Sequence, residues 1–168
     1  TPEIDGAILD NIIDYLNYVV VPVFIFYSLG MAPEPYLLLS CVAILLVSCF
    51  TFTNTNIKTD DFYFSGFPAI WNIVVLYFYI LESSEFTNFI FVILFCVLTF
   101  IPFKYVHPFR VVEFRKITLI ITFIWMITTT ILLFDVFFSN PTFTSTNFLI
   151  WLITNVYFAG NIVFRSIK

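Results

Sequence analysis

Residues 6–31 read G-A-I-L-D-N-I-I-D-Y-L-N-Y-V-V-V-P-V-F-I-F-Y-S-L-G-M. Gly6, Asp10 and Asp14 recur at intervals of four residues, and residues four apart lie on one face of an α-helix. The apolar run that follows is long enough to complete a membrane-spanning helix. Because a carboxylate is costly at a membrane boundary, two on one face predict a shared cation site. The simpler alternative is that Asp10 is a surface residue near a helix start, which the helix dipole favours, and that only Asp14 is unusual.

Composition places the whole chain in lipid. Its 168 residues are 61% hydrophobic and 11% charged, and a soluble core of this size cannot bury that much apolar surface. We therefore predict an all-α, polytopic membrane protein in which residues 1–168 form a single transmembrane domain. Six membrane-spanning helices are predicted at 10–29, 36–53, 69–81, 86–101, 117–138 and 147–163. The cysteines lie inside apolar runs without a C-x-x-C pair, which is typical of helix packing.

The basic residues predict the orientation of these spans. If the N-terminus is cytoplasmic, all seven fall on that side: Lys58, Lys104, Arg110, Arg115, Lys116, Arg165 and Lys168. The opposite loops, at 30–35, 82–85 and 139–146, contain no Lys or Arg, as the positive-inside rule expects. The paired aspartates are therefore predicted to lie on the cytoplasmic face.

Two further stretches combine polar and aromatic residues. Residues 58–72 read K-T-D-D-F-Y-F-S-G-F-P-A-I-W-N, and a re-entry loop with an interfacial Trp anchor would account for them. Residues 102–116 read P-F-K-Y-V-H-P-F-R-V-V-E-F-R-K, which a positive-inside anchor lying along the membrane surface would explain. The histidine there, His107, has no spaced partner that would indicate a metal site.

These stretches carry a resemblance to a known family. The pattern G-x3-D-x3-D at Gly6, Asp10 and Asp14 resembles the second half of the motif of the CDP-alcohol phosphatidyltransferases, and residues 4–18 look most like their bacterial phosphatidylcholine synthase branch. T-D-D followed by G-F-P-A-x-W-N, and K-Y-x-H-P-x-R, resemble further blocks of those synthases. The first half of the motif, D-x2-D-G-x2-A-R, should precede Thr1. We therefore expect the chain to be the C-terminal part of a protein with about eight membrane-spanning helices.

The resemblance implies an enzyme that transfers the phosphatidyl group from CDP-diacylglycerol to choline and releases CMP. It implies Asp10 and Asp14 as ligands of Mn2+ or Mg2+, Asp14 also as the catalytic base, and Gly6 as a position that keeps the backbone clear for the nucleotide. The candidate substrate-binding residues are Asp60, Asp61, Trp71, Asn72, Lys104, His107 and Arg110. The expected location is the bacterial inner membrane, with membrane lipids and no nucleic acid as partners, and a homodimer is left open.

Alternatives remain at this stage. Choline is a permanent cation that aromatic faces can hold, and four aromatic residues lie near the predicted cytoplasmic boundary: Tyr15, Tyr18, Tyr63 and Trp71. Serine, inositol or glycerol phosphate could replace choline as the acceptor. A cation-coupled transporter could also use Asp10 and Asp14, but the chain has no internal repeat and its other spans have no deep carboxylate. A structural membrane subunit would leave the paired aspartates unexplained.

Overall fold

The computed structural model describes residues 3–54, 63–109, 113–138 and 145–167. Its helices are α1 (Gly6–Tyr15), a π-helical segment (Leu16–Val20), α2 (Val21–Ser28), α3 (Glu34–Thr53), α4 (Trp71–Ile80), α5 (Glu85–Leu98), α6 (Arg115–Phe137) and α7 (Thr146–Ile167). Two short strands, β1 (Tyr63–Ser65) and β2 (Lys104–Val106), complete the described elements.

The first span is continuous from Gly6 to Ser28. Asp5 caps its start, because its carboxylate accepts hydrogen bonds from the N–H groups of Ala7 and Ile8 at 2.9 and 3.2 Å. The π-helical segment lies immediately before Pro22, where the missing N–H and the bulky ring disfavour regular α-helical bonding. Beyond Ser28, Gly30 adopts a left-handed conformation with φ of +59°, which ends the helix within one residue of the predicted end at 29.

Residues 3–54 and 67–101 belong to one compact unit. At one end of it, the Tyr15 hydroxyl donates to the carbonyl of Leu45 at 3.0 Å, and the Trp71 indole N–H donates to the Ser48 hydroxyl at 2.8 Å. At the other end, the Asn88 amide donates to the carbonyl of Met31 at 2.9 Å. The end of α1, the C-terminal half of α3 and the start of α4 therefore lie together, away from the turn that follows α2.

The second compact unit contains both strands together with α6 and α7. The strands pair antiparallel, with Tyr63 opposite Val106 and Ser65 opposite Lys104. Polar contacts join α6 to α7, which run antiparallel. The hydroxyls of Thr118 and Tyr157 lie 2.7 Å apart, and the Trp151 N–H donates to the Thr129 hydroxyl at 3.1 Å. The Asn147 amide donates to the Thr128 carbonyl at 3.2 Å. Small polar residues at such an interface allow close approach and supply hydrogen bonds within a membrane.

The predicted all-α, polytopic membrane class is confirmed. Within the part of the chain that the structure describes, four helices are long and apolar enough to cross a membrane: Gly6–Ser28, Glu34–Thr53, Arg115–Phe137 and Thr146–Ile167. The predicted third and fourth spans correspond to the shorter apolar helices α4 and α5, of 10 and 14 residues. Helices of that length do not cross the hydrocarbon core on their own, so the count of six spans stays a prediction, as does the single domain.

The helix that corresponds to the third predicted span, α4, begins later than the sequence suggested. The predicted span starts at residue 69, but Ala69 has a φ of +55° and α4 begins at Trp71. A left-handed residue cannot continue an α-helix. The strand pair β1–β2 was not predicted, because three-residue strands leave too short a pattern to recognise.

Candidate functional site

The carboxylates of α1 stand one helical turn apart. Asp10 is exposed and Asp14 is half-buried, and no residue of α1 is fully buried among the described residues. Gly6 is the first residue of the helix, and a Cβ built there would meet nothing within 4 Å. The predicted one-face spacing on a helix is therefore confirmed, while the roles of Gly6, Asp10 and Asp14 stay predictions.

Asp14 immediately precedes the residue that fastens α1 to α3. The Tyr15 ring packs edge-on against Phe52, with centroids 5.7 Å apart, and its hydroxyl bonds to the carbonyl of Leu45. Trp71 reaches the same stretch of α3 through Ser48. The structure therefore brings the aspartate-bearing helix and the start of α4 to neighbouring turns of one helix.

Trp71 is a core residue in this structure. Only 1% of its surface is exposed, and its ring is edge-on to Phe67 and Phe95 at centroid distances of 5.3 and 6.1 Å. Its N–H is already paired with Ser48. The indole thus fixes α4 against α3, and contact between Trp71 and choline stays a prediction.

Asn72 differs from its neighbour. Its side-chain oxygen Oδ1 is buried and accepts no hydrogen bond from any residue that the structure describes. A buried acceptor without a donor is destabilising, so such atoms often indicate where a ligand or water binds. This position on α4 therefore suits a hydrogen-bond donor, as the predicted substrate contact requires.

The other predicted substrate residues divide between the second unit and undescribed positions. Lys104 lies in β2, and His107 follows it, stacked on Phe64 of β1 with centroids 5.5 Å apart. The Nδ1 atom of His107 accepts a hydrogen bond from the backbone N–H of Phe109 at 3.3 Å. Asp60, Asp61 and Arg110 lie outside the described residues. The strand pair thus brings the stretch after residue 62 beside Lys104 and His107.

Burial affects one titratable group of this strand pair. Tyr105 is half-buried in β2, and the loss of hydration raises the pKa of its hydroxyl above the ordinary value. The hydroxyl is therefore neutral across the physiological pH range, and it can donate a hydrogen bond there.

Sequence reasoning missed the buried cation of this unit. Arg165 was counted only as a basic residue after the last predicted span, which ended at residue 163. The structure extends α7 to Ile167 and buries Arg165 within its last turn. A basic residue inside an apolar helical run was the available signal, because such a residue must find partners.

The residues on α1 fit a divalent metal by their chemistry. Mg2+ and Mn2+ prefer oxygen ligands, and two carboxylates one turn apart can hold one ion from the same side. Among the described residues, no group of three or more His, Cys, Asp or Glu side chains comes together. Asp10 and Asp14 would therefore supply part of a coordination shell.

Together these features define a helical membrane protein with an acidic pair near the end of one span. No family model matches the chain, and no solved structure does. Curated relatives match it. The phosphatidylcholine synthase of Pseudomonas aeruginosa is 37% identical over 167 residues, which is 99% of this chain and 68% of that relative.

Two further phosphatidylcholine synthases match this chain over a smaller share of their own length. That of Borreliella burgdorferi is 44% identical over 123 residues, or 73% of this chain and 53% of the relative. That of Legionella pneumophila is 49% identical over 110 residues, or 65% of this chain and 43% of the relative. The chain belongs to the phosphatidylcholine synthase family, as the motif resemblance predicted, and spans about half the length of these two relatives.

Proposed function

We propose that this chain carries part of the active site of a phosphatidylcholine synthase, which transfers the phosphatidyl group of CDP-diacylglycerol to choline. The observation that carries the proposal is the pair Asp10 and Asp14, one turn apart on a helix of membrane length. Carboxylates in that setting are costly unless they bind or transfer charge. Kinship with enzymes named phosphatidylcholine synthase supports this function over a cation-coupled transporter.

The reaction joins the choline oxygen to the phosphorus of the phosphatidyl group. In our account, Asp14 accepts the proton of the choline hydroxyl while the choline oxygen forms the new P–O bond. The P–O bond to the nucleotide breaks, and CMP leaves with the electron pair. A carboxylate acts as a general base when it lies within hydrogen-bond reach of the hydroxyl, and Asp14 lies next to the Tyr15 anchor, which restrains that turn of the helix.

Asp10 and Asp14 would also hold Mn2+ or Mg2+. When bound, such an ion neutralises negative charge on the pyrophosphate and so makes attack on phosphorus easier. Asp10 is the more exposed of the pair, which suits a residue that would share the metal ion with a nucleotide arriving from water. Gly6 lies one turn earlier, and its lack of a side chain leaves the backbone open to the nucleotide.

The acceptor side of the proposal rests on α4. A buried acceptor oxygen on Asn72 supports a substrate contact, since a ligand hydroxyl would pair it. Trp71 would contribute an aromatic face to the choline cation if Phe67 and Phe95 move aside, and otherwise it holds Asn72 in place. Lys104 and His107 remain candidates for lipid phosphate contacts.

We place the active site at the cytoplasmic face of the bacterial inner membrane. The distribution of Lys and Arg supports this orientation, and CMP is a product soluble in the cytosol. CDP-diacylglycerol, choline and the surrounding lipids are the proposed partners, and a homodimer stays a prediction.

An acceptor panel tests the proposal. The full-length protein would be given CDP-diacylglycerol with choline, serine, inositol or glycerol phosphate, in the presence of Mn2+ or Mg2+. We expect metal-dependent phosphatidylcholine formation and stoichiometric CMP release with choline alone. Preference for serine, inositol or glycerol phosphate would refute the acceptor assignment, and no CMP release with any alcohol would refute phosphatidyl transfer.

A further inference from the structure

Arg165 combines burial with unsatisfied hydrogen-bond donors. Only 8% of its side chain is exposed, and its Nη2 forms an ion pair with Oε2 of Glu113. Its Nε atom is buried and has no hydrogen-bond partner among the residues that the structure describes. Arginine cannot release its proton at any physiological pH. The guanidinium is therefore a permanent buried cation with an edge that is only partly satisfied.

The fold holds this guanidinium firmly in place. Its central carbon lies 5.5 Å from the centroid of the Tyr63 ring and 5.7 Å from that of Phe164, distances at which aromatic faces attract a cation. The next residue, Ser166, accepts a hydrogen bond from the backbone N–H of Lys104 at 2.9 Å. The last turn of α7 is thus joined to both strands, and the cation is positioned before any ligand arrives.

Glu113 is an unusual partner for a buried arginine. Its side chain is 57% exposed, so water can hydrate the carboxylate when it leaves the guanidinium. An ordinary buried ion pair removes both charges from water, and losing either partner is then strongly unfavourable. Here one partner is buried and the other is largely hydrated, which makes the pair easy to exchange.

The charges near this turn favour an anion. Arg115 and Lys116 begin α6 two residues after Glu113, and Lys104 lies on the strand joined to Ser166. Among the described residues of this unit the acidic side chains are Glu113 and Asp135, and Asp135 lies near the far end of α6. Positive charge therefore exceeds negative charge around Arg165.

We propose that Arg165 is the cation of a phosphate-binding site and that Glu113 occupies it when no phosphate is bound. Two phosphate oxygens can accept from Nε and Nη2 at once, which satisfies the buried Nε and uses the planar geometry of arginine. The ligand class is a phosphate ester or pyrophosphate. Its source, a nucleotide or a lipid headgroup, rests on the proposed function, whereas the anion site itself does not.

Pyrophosphate binding to the full-length protein in detergent micelles tests the site directly. EDTA is included, so that no metal can bridge pyrophosphate to Asp10 and Asp14, and neither choline nor turnover is needed. We expect R165Q to weaken binding by about tenfold or more, and R165K to weaken it less, since lysine keeps the charge without the fork. E113Q should tighten binding, because it removes the competing carboxylate while keeping the side-chain shape.

K116Q provides the matched control, since it removes one exposed positive charge from the same region. We expect it to change affinity by less than about threefold, as for a screened surface charge. If R165Q does not fold, E113Q decides the question alone. Unchanged or weaker binding in E113Q, or equal losses in R165Q and K116Q, would overturn the proposal.

Two further probes identify the source of the phosphate. CMP in EDTA represents the nucleotide, and nanodiscs with and without phosphatidic acid represent the lipid. If R165Q loses binding to one probe and keeps binding to the other, the result supports the site and identifies the source of the phosphate. If R165Q loses binding to neither probe, the proposal is overturned. Because these measurements need no catalysis, a failed phosphate site and a failed synthase activity give different results.

Discussion

At the scale of single residues, Asn88 shows how polar groups hold the first unit together. Its amide donates to the Met31 carbonyl, and its side-chain oxygen accepts from the Ser83 hydroxyl at 2.6 Å. These bonds connect the turn after α2 to the turn before α5. Because Asn88 is only 2% exposed, water cannot replace them when they are lost.

Asn88→Ala should therefore destabilise the protein by about 1–2 kcal/mol, since it leaves the Met31 carbonyl without its donor. The measurement is the free energy of unfolding in detergent, obtained by thermal or denaturant titration. Asn161→Ala is the matched control, because among the described residues the Asn161 amide donates to a carbonyl of its own helix, that of Tyr157 at 3.0 Å. An equal loss of stability in the two variants would contradict the bridging role of Asn88.

Asp10 carries a separate prediction about metal. Asp10→Asn should raise the Mn2+ or Mg2+ concentration needed for half-maximal activity by about tenfold or more, because a neutral amide is a weaker ligand than a carboxylate. Asp5→Asn is the control, since it removes a nearby carboxylate while asparagine still caps the helix. If both variants need the same metal concentration as the unaltered enzyme, Asp10 is not a ligand.

At the scale of elements, Trp71 fastens α4 to α3 through one hydrogen bond and a set of ring contacts. Three variants can separate a packing role of Trp71 from a role in contacting choline. Trp71→Phe keeps an aromatic face and loses the N–H, Ser48→Ala removes the same hydrogen bond without altering the ring, and Trp71→Leu loses both. Stability and choline affinity should respond differently across this series.

We predict that Trp71→Leu raises half-saturation for choline by more than about tenfold, since a desolvated cation over an indole is worth roughly 2 kcal/mol. Half-saturation for CDP-diacylglycerol should stay nearly constant. Ser48→Ala should lower stability and leave choline affinity unchanged. If Trp71→Leu matches Ser48→Ala in both measurements, Trp71 is a packing residue and does not contact choline.

Elements with a long and regular pattern could be predicted from the sequence. The spacing of Asp10 and Asp14 and the predicted end of the span at residue 29 agree with the first helix, but that helix begins at Gly6 and not at the predicted residue 10. The Asp5 cap was missed, although an aspartate before a helical pattern is a recognised start signal. The strand pair was missed because β1 and β2 are short and lie far apart in the chain, so no local rule pairs Tyr63 with Val106.

The candidate site was less predictable than the fold. Motif spacing found the carboxylates, but it could not show that Trp71 is buried or that no described residue donates a hydrogen bond to the Asn72 side-chain oxygen. It also counted Arg165 only as a basic residue after the last span, since its burial depends on which strands pack against α7. Such properties arise from tertiary contacts, which a single sequence specifies only indirectly.

At the scale of the whole molecule, the chain is a helical membrane protein of the phosphatidylcholine synthase family with an acidic pair near the end of one apolar helix. The first unit contains the carboxylates of α1 and the start of α4, and the second contains a strand pair and a buried cation. We propose that the carboxylates of α1 carry out phosphatidyl transfer.

The most direct test is the turnover number of the full-length Asp14→Asn variant with saturating CDP-diacylglycerol, choline and metal, beside Asp5→Asn. Loss of the base should reduce turnover by more than about tenfold, or roughly 1.4 kcal/mol in the activation barrier. The variant should still insert and fold, because an amide is less costly than a carboxylate near lipid, and Asp5→Asn should stay close to the unaltered enzyme. Turnover by Asp14→Asn above about a tenth of that value would contradict the claim.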